Sequence, residues 1–229
     1  SESATSTAVS TSGDAVQVLD DTDVFTDRDL DSTYDASDAT TITLSDSGST
    51  ATGSGVSIEG STVTISAAGT YVVSGSLSDG QIVVNVADTA KVQIVLDGAS
   101  VSCSSSAALY VINADKVFLT LADGTSNSLA TTGGFVETDD NKVDGAIFAK
   151  DDLTVNGNGS LDVTCSEGHG IVCKNDLRLV SGSVTVNAAK HAVQAKDSSA
   201  VCGGTWNLTG CTDGLHCAND EDNSKGWIY

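Results

Sequence analysis

Apolar and polar residues alternate along most of the chain from Thr40 onward. The alternation is clear in the segments TITL, GVSIEGSTVTIS, GTYVVSGSLSDG, QIVVNVA, KVQIVLDGASV and AALYVINADKVFLTL. Gly, Asp and Ser separate these segments. A period of two with such turn residues is typical of β-strands, because successive side chains on a strand point to opposite faces. The pattern predicts an all-β protein of many short strands.

The second half of the chain repeats one pattern four times. The repeats open at residues 145, 169, 191 and 213, which are steps of 24, 22 and 22. An earlier pair, KVQIVLDGASV from Lys91 and KVFLTLADGTS from Lys116, is separated by 25 residues. A strand-like repeat of this period indicates a solenoid, in which each coil is buried only by its neighbours. The sequence therefore predicts a parallel β-helix with coils of about 22–25 residues.

The domain boundaries follow from the same pattern. Residues 25–229 are predicted to form the β-helix. Residues 1–24 are predicted to be a tail or linker, since their first half is rich in Ser, Thr and Ala, with a candidate first strand at Val16 to Leu19. The segment between Leu121 and Asp144 reads as an insertion that lengthens one coil. Its polar residues are interpreted as a solvated loop or as additional calcium ligands: Glu137, Asp139, Asp140 and Asn141.

Aligning the four repeats predicts columns of side chains about 4.8 Å apart. Two columns are apolar and are predicted to point inward: Ile147, Ile171, Val193 and Leu215, and Ala149, Cys173, Ala195 and Cys217. The next columns are polar: Lys150, Lys174, Lys196 and Ala218, then Asp151, Asn175, Asp197 and Asn219, then Asp152, Asp176, Ser198 and Asp220. One edge of the solenoid thus carries stacked carboxylates and amides beside a row of lysines.

These columns present an electrostatic problem. Carboxylates about 5 Å apart repel by roughly 3 kcal/mol at an effective dielectric constant of about 20. Calcium would relieve this repulsion. Its oxygen ligands lie about 2.3–2.6 Å from the ion, so two oxygens on opposite sides of the ion are about 5 Å apart, which matches the coil spacing. The predicted ligands are Asp151, Asp152, Asn175, Asp176, Asp197, Asn219, Asp220 and Asp222. The alternative is a solvated ladder in which lysines and asparagines balance the charge.

A second acidic cluster lies near the start of the chain. Asp27, Asp29, Asp31 and Asp35 have the spacing of positions 1, 3, 5 and 9 of an EF-hand calcium loop. Position 6 is Ser32 rather than Gly, and no flanking helices are predicted. These four residues are secondary candidates for metal binding, and an ordinary acidic turn is the alternative.

Charge and cysteine content narrow the classes of protein. The formal net charge is −21 and the sequence has no basic patch, which argues against binding to nucleic acid or to an anionic membrane. No apolar run is long enough to span a bilayer. The sequence begins at Ser1 and contains no Met, which predicts that the chain has lost a signal peptide or been trimmed. The 6 cysteines are interpreted mainly as buried thiols, since Cys173 and Cys217 are two coils apart.

The histidines and tryptophans have two interpretations each. His169, His191 and His216 lie at or near the turns of the repeats, where an acid–base or metal role is conceivable and a structural hydrogen bond is the alternative. Trp206 aligns with Val184 and is predicted to pack in the core. Trp227 and Tyr229 are the aromatic candidates for stacking on sugar rings.

Several segments resemble a known family. DGAIFAKDDLTVNGNGSL, HGIVCKNDLRLVSGSVTV and DGLHCANDEDNSKGWIY, together with FTDRDLDSTYD and GTYVVSGSLSDGQIVV, are similar to bacterial secreted carbohydrate-binding domain proteins. That family contains cellulose- and acid-sugar-binding proteins with a polysaccharide-lyase-like fold. The resemblance covers roughly residues 25–229. It implies a right-handed parallel β-helix, that is, a single-stranded β-solenoid, with bound Ca²⁺.

Three functions remain open at this point. The first is a non-catalytic, calcium-dependent, extracellular or cell-surface protein that binds acidic polysaccharide such as pectate, or cellulose, through Lys150, Lys174, Lys196, Trp227 and Tyr229. The second is a fibre subunit that forms a homopolymer by stacking solenoid ends. The third is a calcium-dependent polysaccharide lyase with a lysine base. The lyase is disfavoured because neighbouring carboxylates raise the pKa of a lysine, whereas a base needs a lowered one.

Overall fold

The computed structural model describes residues 24–229, so the predicted strand at Val16 to Leu19 lies outside the described residues. The helix α1 spans Asp27–Leu30. The strands are β1 Thr40–Leu44, β2 Thr50–Thr52, β3 Val56–Glu59, β4 Thr62–Ile65, β5 Gly69–Leu77, β6 Gln81–Asn85, β7 Lys91–Cys103, β8 Leu109–Asn113, β9 Lys116–Leu121, β10 Ser126–Thr131, β11 Gly145–Ala149, β12 Asp152–Gly157, β13 Ser160–Cys165, β14 His169–Cys173, β15 Asp176–Leu179, β16 Ser183–Ala188, β17 Val193–Ala195, β18 Ser198–Val201, β19 Thr205–Thr209, β20 Leu215–Cys217 and β21 Trp227–Ile228.

The strands form three faces that the chain visits in turn. Face 1 contains β9, β12, β15, β18 and β21 with the first halves of β5 and β7, and face 2 contains β10, β13, β16 and β19 with their second halves. Face 3 is a separate sheet of β3, β4, β6, β8, β11, β14, β17 and β20. The pairs β1–β2 and β3–β4 are antiparallel, and the other pairs are parallel. The protein is all-β and consistent with a β-solenoid; the right-handed sense stays a prediction.

The strand register confirms the predicted columns. Ile147 pairs with Ile171, Ile171 with Val193 and Val193 with Leu215. The small column two residues further on is paired in the same way. Lys91 also pairs with Lys116, as the 25-residue spacing predicts. Side chains of the inner columns form one continuous core, which explains why equivalent positions of successive coils must all be apolar.

The structure corrects most of the predicted insertion between Leu121 and Asp144. Its first part contains β10, which pairs in parallel with β7 and with β13 and belongs to face 2. Only residues 132–144 form a long connection. This loop lies over the outer side of face 3, where Tyr110 donates a hydrogen bond to Asp139 (2.6 Å) and accepts one from Asn141 (2.6 Å). Val143 packs beside Phe148 in the same apolar cluster.

An N-terminal segment, residues 24–35, lies across the outer side of face 1. The outer column of that face is Gln93, Phe118, Thr154, Arg178 and Ala200, and every member is buried. Val24 packs near Ala200, and its carbonyl accepts a hydrogen bond from Arg178 (2.6 Å). Further along the segment, Arg28 donates to Gln93 (2.7 Å) and stacks over the Phe118 ring. The segment therefore spans several coils and closes this face.

The start of α1 is fixed by a capping box. Thr26 accepts a hydrogen bond from the Asp29 backbone, and the Asp29 side chain accepts one from the Thr26 backbone (3.0 Å). Such reciprocal bonds satisfy donors that a helix start leaves without partners. Within residues 24–229, no helix has the length and apolar character needed to cross a membrane.

Candidate functional site

Face 3 is covered by the 132–144 loop in its middle coils and is open near its C-terminal coils. The outer column of this face runs Tyr110, Phe148, Val172, Gln194 and His216. The first three of these residues are buried and the last two are half-buried. The exposed end of this column is the floor of a cleft of about 220 Å³, which we call the face 3 cleft. Its lining residues are Cys173, Lys174, Gln194, Lys196, Ala218, Asp220 and Glu221.

Two predicted sugar-binding lysines lie on the face 3 cleft. Lys174 holds its ammonium 5.3 Å from the centre of the Phe148 ring. Lys196 donates a hydrogen bond to Glu221 (2.5 Å), and this bond raises the pKa of the lysine. Gln194 lines the same cleft, and its buried Oε1 atom finds no hydrogen-bond partner among the described residues. A buried acceptor left without a donor costs free energy, so turning the half-buried Gln194 side chain toward a hydrogen-bond donor of a ligand in the cleft would be favourable.

The main acidic columns lie at the corner between face 3 and face 1, as predicted. Asp151 accepts a hydrogen bond from the Ala114 backbone (3.0 Å), and Asp152 accepts one from the Asp176 backbone (3.2 Å). Asp176 also accepts one from Ser198 and lies 3.5 Å from the Arg178 guanidinium. Protein donors thus already meet part of the hydrogen-bonding capacity of these carboxylates.

Two carboxylates at this corner are nonetheless unfavourably placed. Burial raises the pKa of Asp151, against the effect of its hydrogen bond from Ala114. Burial also raises the pKa of Asp152, and the neighbouring charge of Asp176 adds to the rise. A bound cation would lower both values by favouring the charged form. The calcium assignment is not tested by this geometry and stays a prediction.

The last turn of the chain departs from the predicted register. Ser198 pairs with Trp227, so Asp220 does not continue the column of Asp152 and Asp176. Residues 218–226 instead loop outward, and this places Asp220 on the face 3 cleft. Asn219 remains beside the corner, where it donates to Asp197 (2.8 Å). Asp197 also accepts a hydrogen bond from Lys225 (2.6 Å).

The remaining predicted ligand of this turn serves the turn itself. Asp222 accepts hydrogen bonds from the backbone and side chain of Ser224 (2.9 and 2.7 Å). The hydrogen bond from the Ser224 side chain, followed by that from its backbone, lowers the pKa of Asp222.

The secondary metal candidates near the start of the chain interact with different partners within the protein. Asp29 is buried and forms an ion pair with Lys116 (2.7 Å). Asp31 accepts hydrogen bonds from Thr33, and Asp35 accepts them from Ser37. Asp27 is exposed in the first turn of α1.

The remaining sugar-binding candidates are dispersed. Lys150 is exposed one coil before the face 3 cleft. Trp227 lies on face 1, where it packs near Val24 and lies 5.8 Å from the Arg178 guanidinium, so it serves packing. Tyr229 is 37% exposed, and its backbone pairs with that of Ser199 (2.9 Å). Trp206 pairs with Val184 and packs against the core, as predicted.

The three histidines form a row along the open edge of face 3. The rings of His169 and His191 stack with centroids 5.0 Å apart, and those of His191 and His216 with centroids 4.2 Å apart. Burial lowers the pKa of His169 to about 4, against the effect of the nearby Asp144 carboxylate. His169 accepts a hydrogen bond from the His191 backbone (3.1 Å), which is the structural role expected of a turn histidine.

Sequence reasoning missed two features. The unpartnered Gln194 was hidden because its column combines aromatic, aliphatic and polar residues. A second cleft of about 440 Å³ lies where the N-terminal segment meets face 1, and it is lined by Ser32, Thr33, Tyr34, Thr120, Leu121, Ala122, Asp123 and Asn158. Residues from three distant stretches of the chain form this cleft, so no local sequence motif indicates it. The exposed Tyr34 in a polar segment was the available signal.

Comparisons with known proteins agree with this fold. The chain is 38% identical over 136 residues to a carbohydrate-binding domain-containing protein of Acetivibrio thermocellus, a match covering 58% of this chain and 48% of the relative. The chain therefore matches about half the length of that relative. The structure resembles that of a polysaccharide lyase-like protein from C. thermocellum, solved as a gadolinium derivative, with a TM-score of 0.79, 32% identity, and coverage of 83% of this chain and 78% of the other.

A family model extends the sequence match over most of the solenoid. The model described as carbohydrate-binding domain-containing protein matches residues 59–229, which include the face 3 cleft, the acidic corner and the histidine row. The chain belongs to the family of carbohydrate-binding domain-containing proteins.

Proposed function

We propose that this protein is a non-catalytic, extracellular polysaccharide-binding protein that holds an acidic sugar chain in the face 3 cleft. The observation that carries the proposal is the buried Oε1 atom of Gln194, which lacks a donor and belongs to a residue that lines the same cleft as Lys174 and Lys196. A sugar hydroxyl supplies the missing donor, and a sugar carboxylate pairs with a lysine ammonium. Family membership supports a carbohydrate as the ligand.

The shape of the cleft favours an extended chain over a small enclosed ligand. Its volume of about 220 Å³ is below the roughly 300–1,000 Å³ of typical small-molecule sites. It lies on the outer side of a sheet, so a polymer would pass across it and contact Lys150 in the neighbouring coil. Neutral glucan prefers exposed aromatic platforms, and Trp227 packs on face 1 instead.

Calcium has a specific part in this proposal. The chain carries a net charge of −21, which repels an acidic polymer at long range. Ca²⁺ at the acidic corner would offset that charge and accept carboxylate oxygens of the sugar. The pKa values of Asp151 and Asp152, raised by burial, support a cation there.

Lys196 in the face 3 cleft does not suit lyase chemistry. A lysine that removes a proton must lose its own at the working pH, which requires a lowered pKa. The hydrogen bond to Glu221 raises the pKa of Lys196. We therefore retain binding without catalysis. Self-assembly into a fibre stays a separate prediction, which the size of the protein in solution tests.

Binding of polygalacturonate oligomers and cello-oligomers by calorimetry, with calcium and then with a chelator, tests the proposal. Gln194→Ala should weaken binding about 3–10-fold, the effect of one hydrogen bond, without lowering stability, because it removes a buried atom that has no partner. Lys174→Ala should weaken binding of the acidic oligomer alone. Lys91→Ala, in an earlier coil, is the control of equal charge.

Two outcomes carry different meanings. Binding that survives the chelator would overturn the calcium dependence and leave the cleft intact. Failure of the wild-type protein to bind either oligomer, or equal losses in Lys91→Ala and Lys174→Ala, would overturn the proposed site.

A further inference from the structure

We propose that His191, Asp213 and His216 bind a divalent transition-metal ion, with Zn²⁺ as the expected metal. Among the described residues, they form the one group of at least three His, Cys, Asp or Glu side chains whose ligand atoms lie within 4.8 Å of one another. The group lies on the rim of face 3, separate from the acidic corner assigned to calcium above.

The distances suit a tetrahedral ion. Nδ1 of His191 lies 3.0 Å from Oδ2 of Asp213, and Nδ1 of His216 lies 3.5 Å from the same oxygen. Ligand atoms about 2.0–2.1 Å from a tetrahedral zinc ion are about 3.3 Å from each other. Both distances to the Asp213 oxygen are close to this value, and all three ligand atoms lie within 4.8 Å of one another.

The state of His191 points to a missing partner. Its Nδ1 atom is buried and makes no hydrogen bond within the described structure, although the Asp213 oxygen is 3.0 Å away, because the direction of approach is unfavourable. A nitrogen in this position loses its contact with water on burial, and no hydrogen bond compensates for that loss. A metal ion on Nδ1 would satisfy it and would neutralise the Asp213 carboxylate at the same time.

The backbone holds the three residues in register without the ion. The Ala192 amide donates to the Asp213 carbonyl (2.9 Å), so Asp213 lies directly above the His191 turn. His216 pairs with Gln194 on β17 and β20. The ring of His169 stacks under that of His191, and its Nδ1 atom accepts a hydrogen bond from the His191 amide. The three ligands therefore come from two adjacent coils, whose spacing the sheet fixes.

One movement is required for binding. The rings of His191 and His216 are nearly parallel, with an angle of 5° between their planes. Because an imidazole nitrogen binds a metal in the plane of its ring, the His216 ring must tilt toward Asp213. The side chain of His216 is 37% exposed and that of Asp213 is 50% exposed, so the surroundings allow this tilt. The fourth position of the ion faces solvent and is open to water or to an oxygen of a ligand.

The donor set selects the kind of metal. Two imidazole nitrogens and one carboxylate oxygen favour zinc or a neighbouring first-row ion, whereas calcium and magnesium prefer oxygen alone. This selectivity separates the site from the many carboxylates of the surface.

Calorimetric titration of the full chain with Zn²⁺ in excess Ca²⁺ tests the proposal, because calcium occupies sites made only of oxygen. We expect one ion per chain. His216→Ala and Asp213→Ala, both at partly exposed positions, should each weaken binding by more than about 10–100-fold, the loss typical of outer-shell partners. Asp162→Ala, an exposed carboxylate on face 2, is the matched control and should leave binding unchanged.

Co²⁺ provides a second readout that does not depend on affinity. Replacement of zinc by cobalt should give the visible absorption of a tetrahedral nitrogen–oxygen site, and His216→Ala should abolish it. The proposal is overturned if wild-type protein shows no binding above the calcium background, if both ligand variants bind like wild type, or if Asp162→Ala weakens binding as much as they do.

Discussion

Asp29, a secondary candidate for metal binding, has partners within the protein. Its spacing from Asp27 and Asp31 suggested a calcium loop. In the structure its carboxylate caps α1 and pairs with Lys116, a residue 87 positions away in the sequence. A local pattern of acidic residues gives no information on a cation brought by another coil.

The first prediction concerns this ion pair. Asp29→Asn should lower the free energy of unfolding by about 3 kcal/mol, because it leaves the buried Lys116 ammonium without its counter-charge. Asp27→Asn, on the exposed side of the same turn, should change it by no more than about 0.5 kcal/mol. Denaturant unfolding near pH 7 measures both. Equal effects of the two variants would contradict the structural role assigned to Asp29.

The same variants have a pH signature. Burial raises the pKa of Asp29, but hydrogen bonds from Lys116, Thr154 and Thr26 outweigh it, so the pKa is below its ordinary value of 3.8. A depressed pKa stabilises the fold above the unfolded-state value and is lost as the pH falls through the folded-state value. The gap between wild type and Asp29→Asn should therefore be constant near neutral pH and should shrink below pH of about 4.

At the scale of elements, the coils are held in register by close backbone contacts at turns. Gly157 ends β12 with φ of +96°, and a Cβ atom there would lie 2.2 Å from the Leu121 carbonyl oxygen of the coil below. Gly98, in β7, has φ of +76°, yet a Cβ atom would meet nothing within 4 Å. The two glycines share a left-handed backbone and differ in how closely the next coil approaches.

The second prediction uses these glycines as a matched pair. Gly98→Ala should destabilise the protein by about 1–2 kcal/mol, the cost of a left-handed conformation for a residue with a Cβ atom. Gly157→Ala should cost at least about 2 kcal/mol more, because the backbone of one coil must move. Thermal or denaturant unfolding compares them. Similar losses for both would show that coil contact contributes little at Gly157.

At the scale of the whole molecule, the outer faces of the solenoid differ in how far other segments cover them. Residues 24–35 close face 1, and the 132–144 loop covers the middle of face 3. The C-terminal coils of face 3 stay open and carry the proposed sugar and zinc sites side by side. The charge of −21 acts on all of these coils together, since like charges on stacked coils repel one another.

The third prediction concerns this charge. Sodium chloride should raise the melting temperature by screening repulsion, and calcium should raise it further than magnesium at equal ionic strength if the acidic corner binds it. Asp152→Asn should reduce that additional calcium increment, and Asp162→Asn on face 2 should not. Equal shifts with calcium and magnesium would show screening alone and would contradict a calcium site at the corner.

The repeat alone determined the all-β character, the inward columns and the position of the acidic corner. A solenoid makes this possible because equivalent residues of adjacent coils must pair, so sequence alignment becomes spatial alignment. The column of Ile147 and Ile171 illustrates this. The alignment failed where a coil changed length, as at Asp220, because the last turn loops outward and Trp227 takes the expected place.

Only the tertiary structure decided which faces are covered and which groups lack partners. The contact of Arg28 with Phe118, the cover over Tyr110 and the unsatisfied atoms of Gln194 and His191 depend on segments far apart in the chain. A repeat pattern specifies how a coil meets the next coil, because that contact recurs. The repeat pattern gives no information on a segment that crosses the coils once, because a single crossing leaves no period in the sequence.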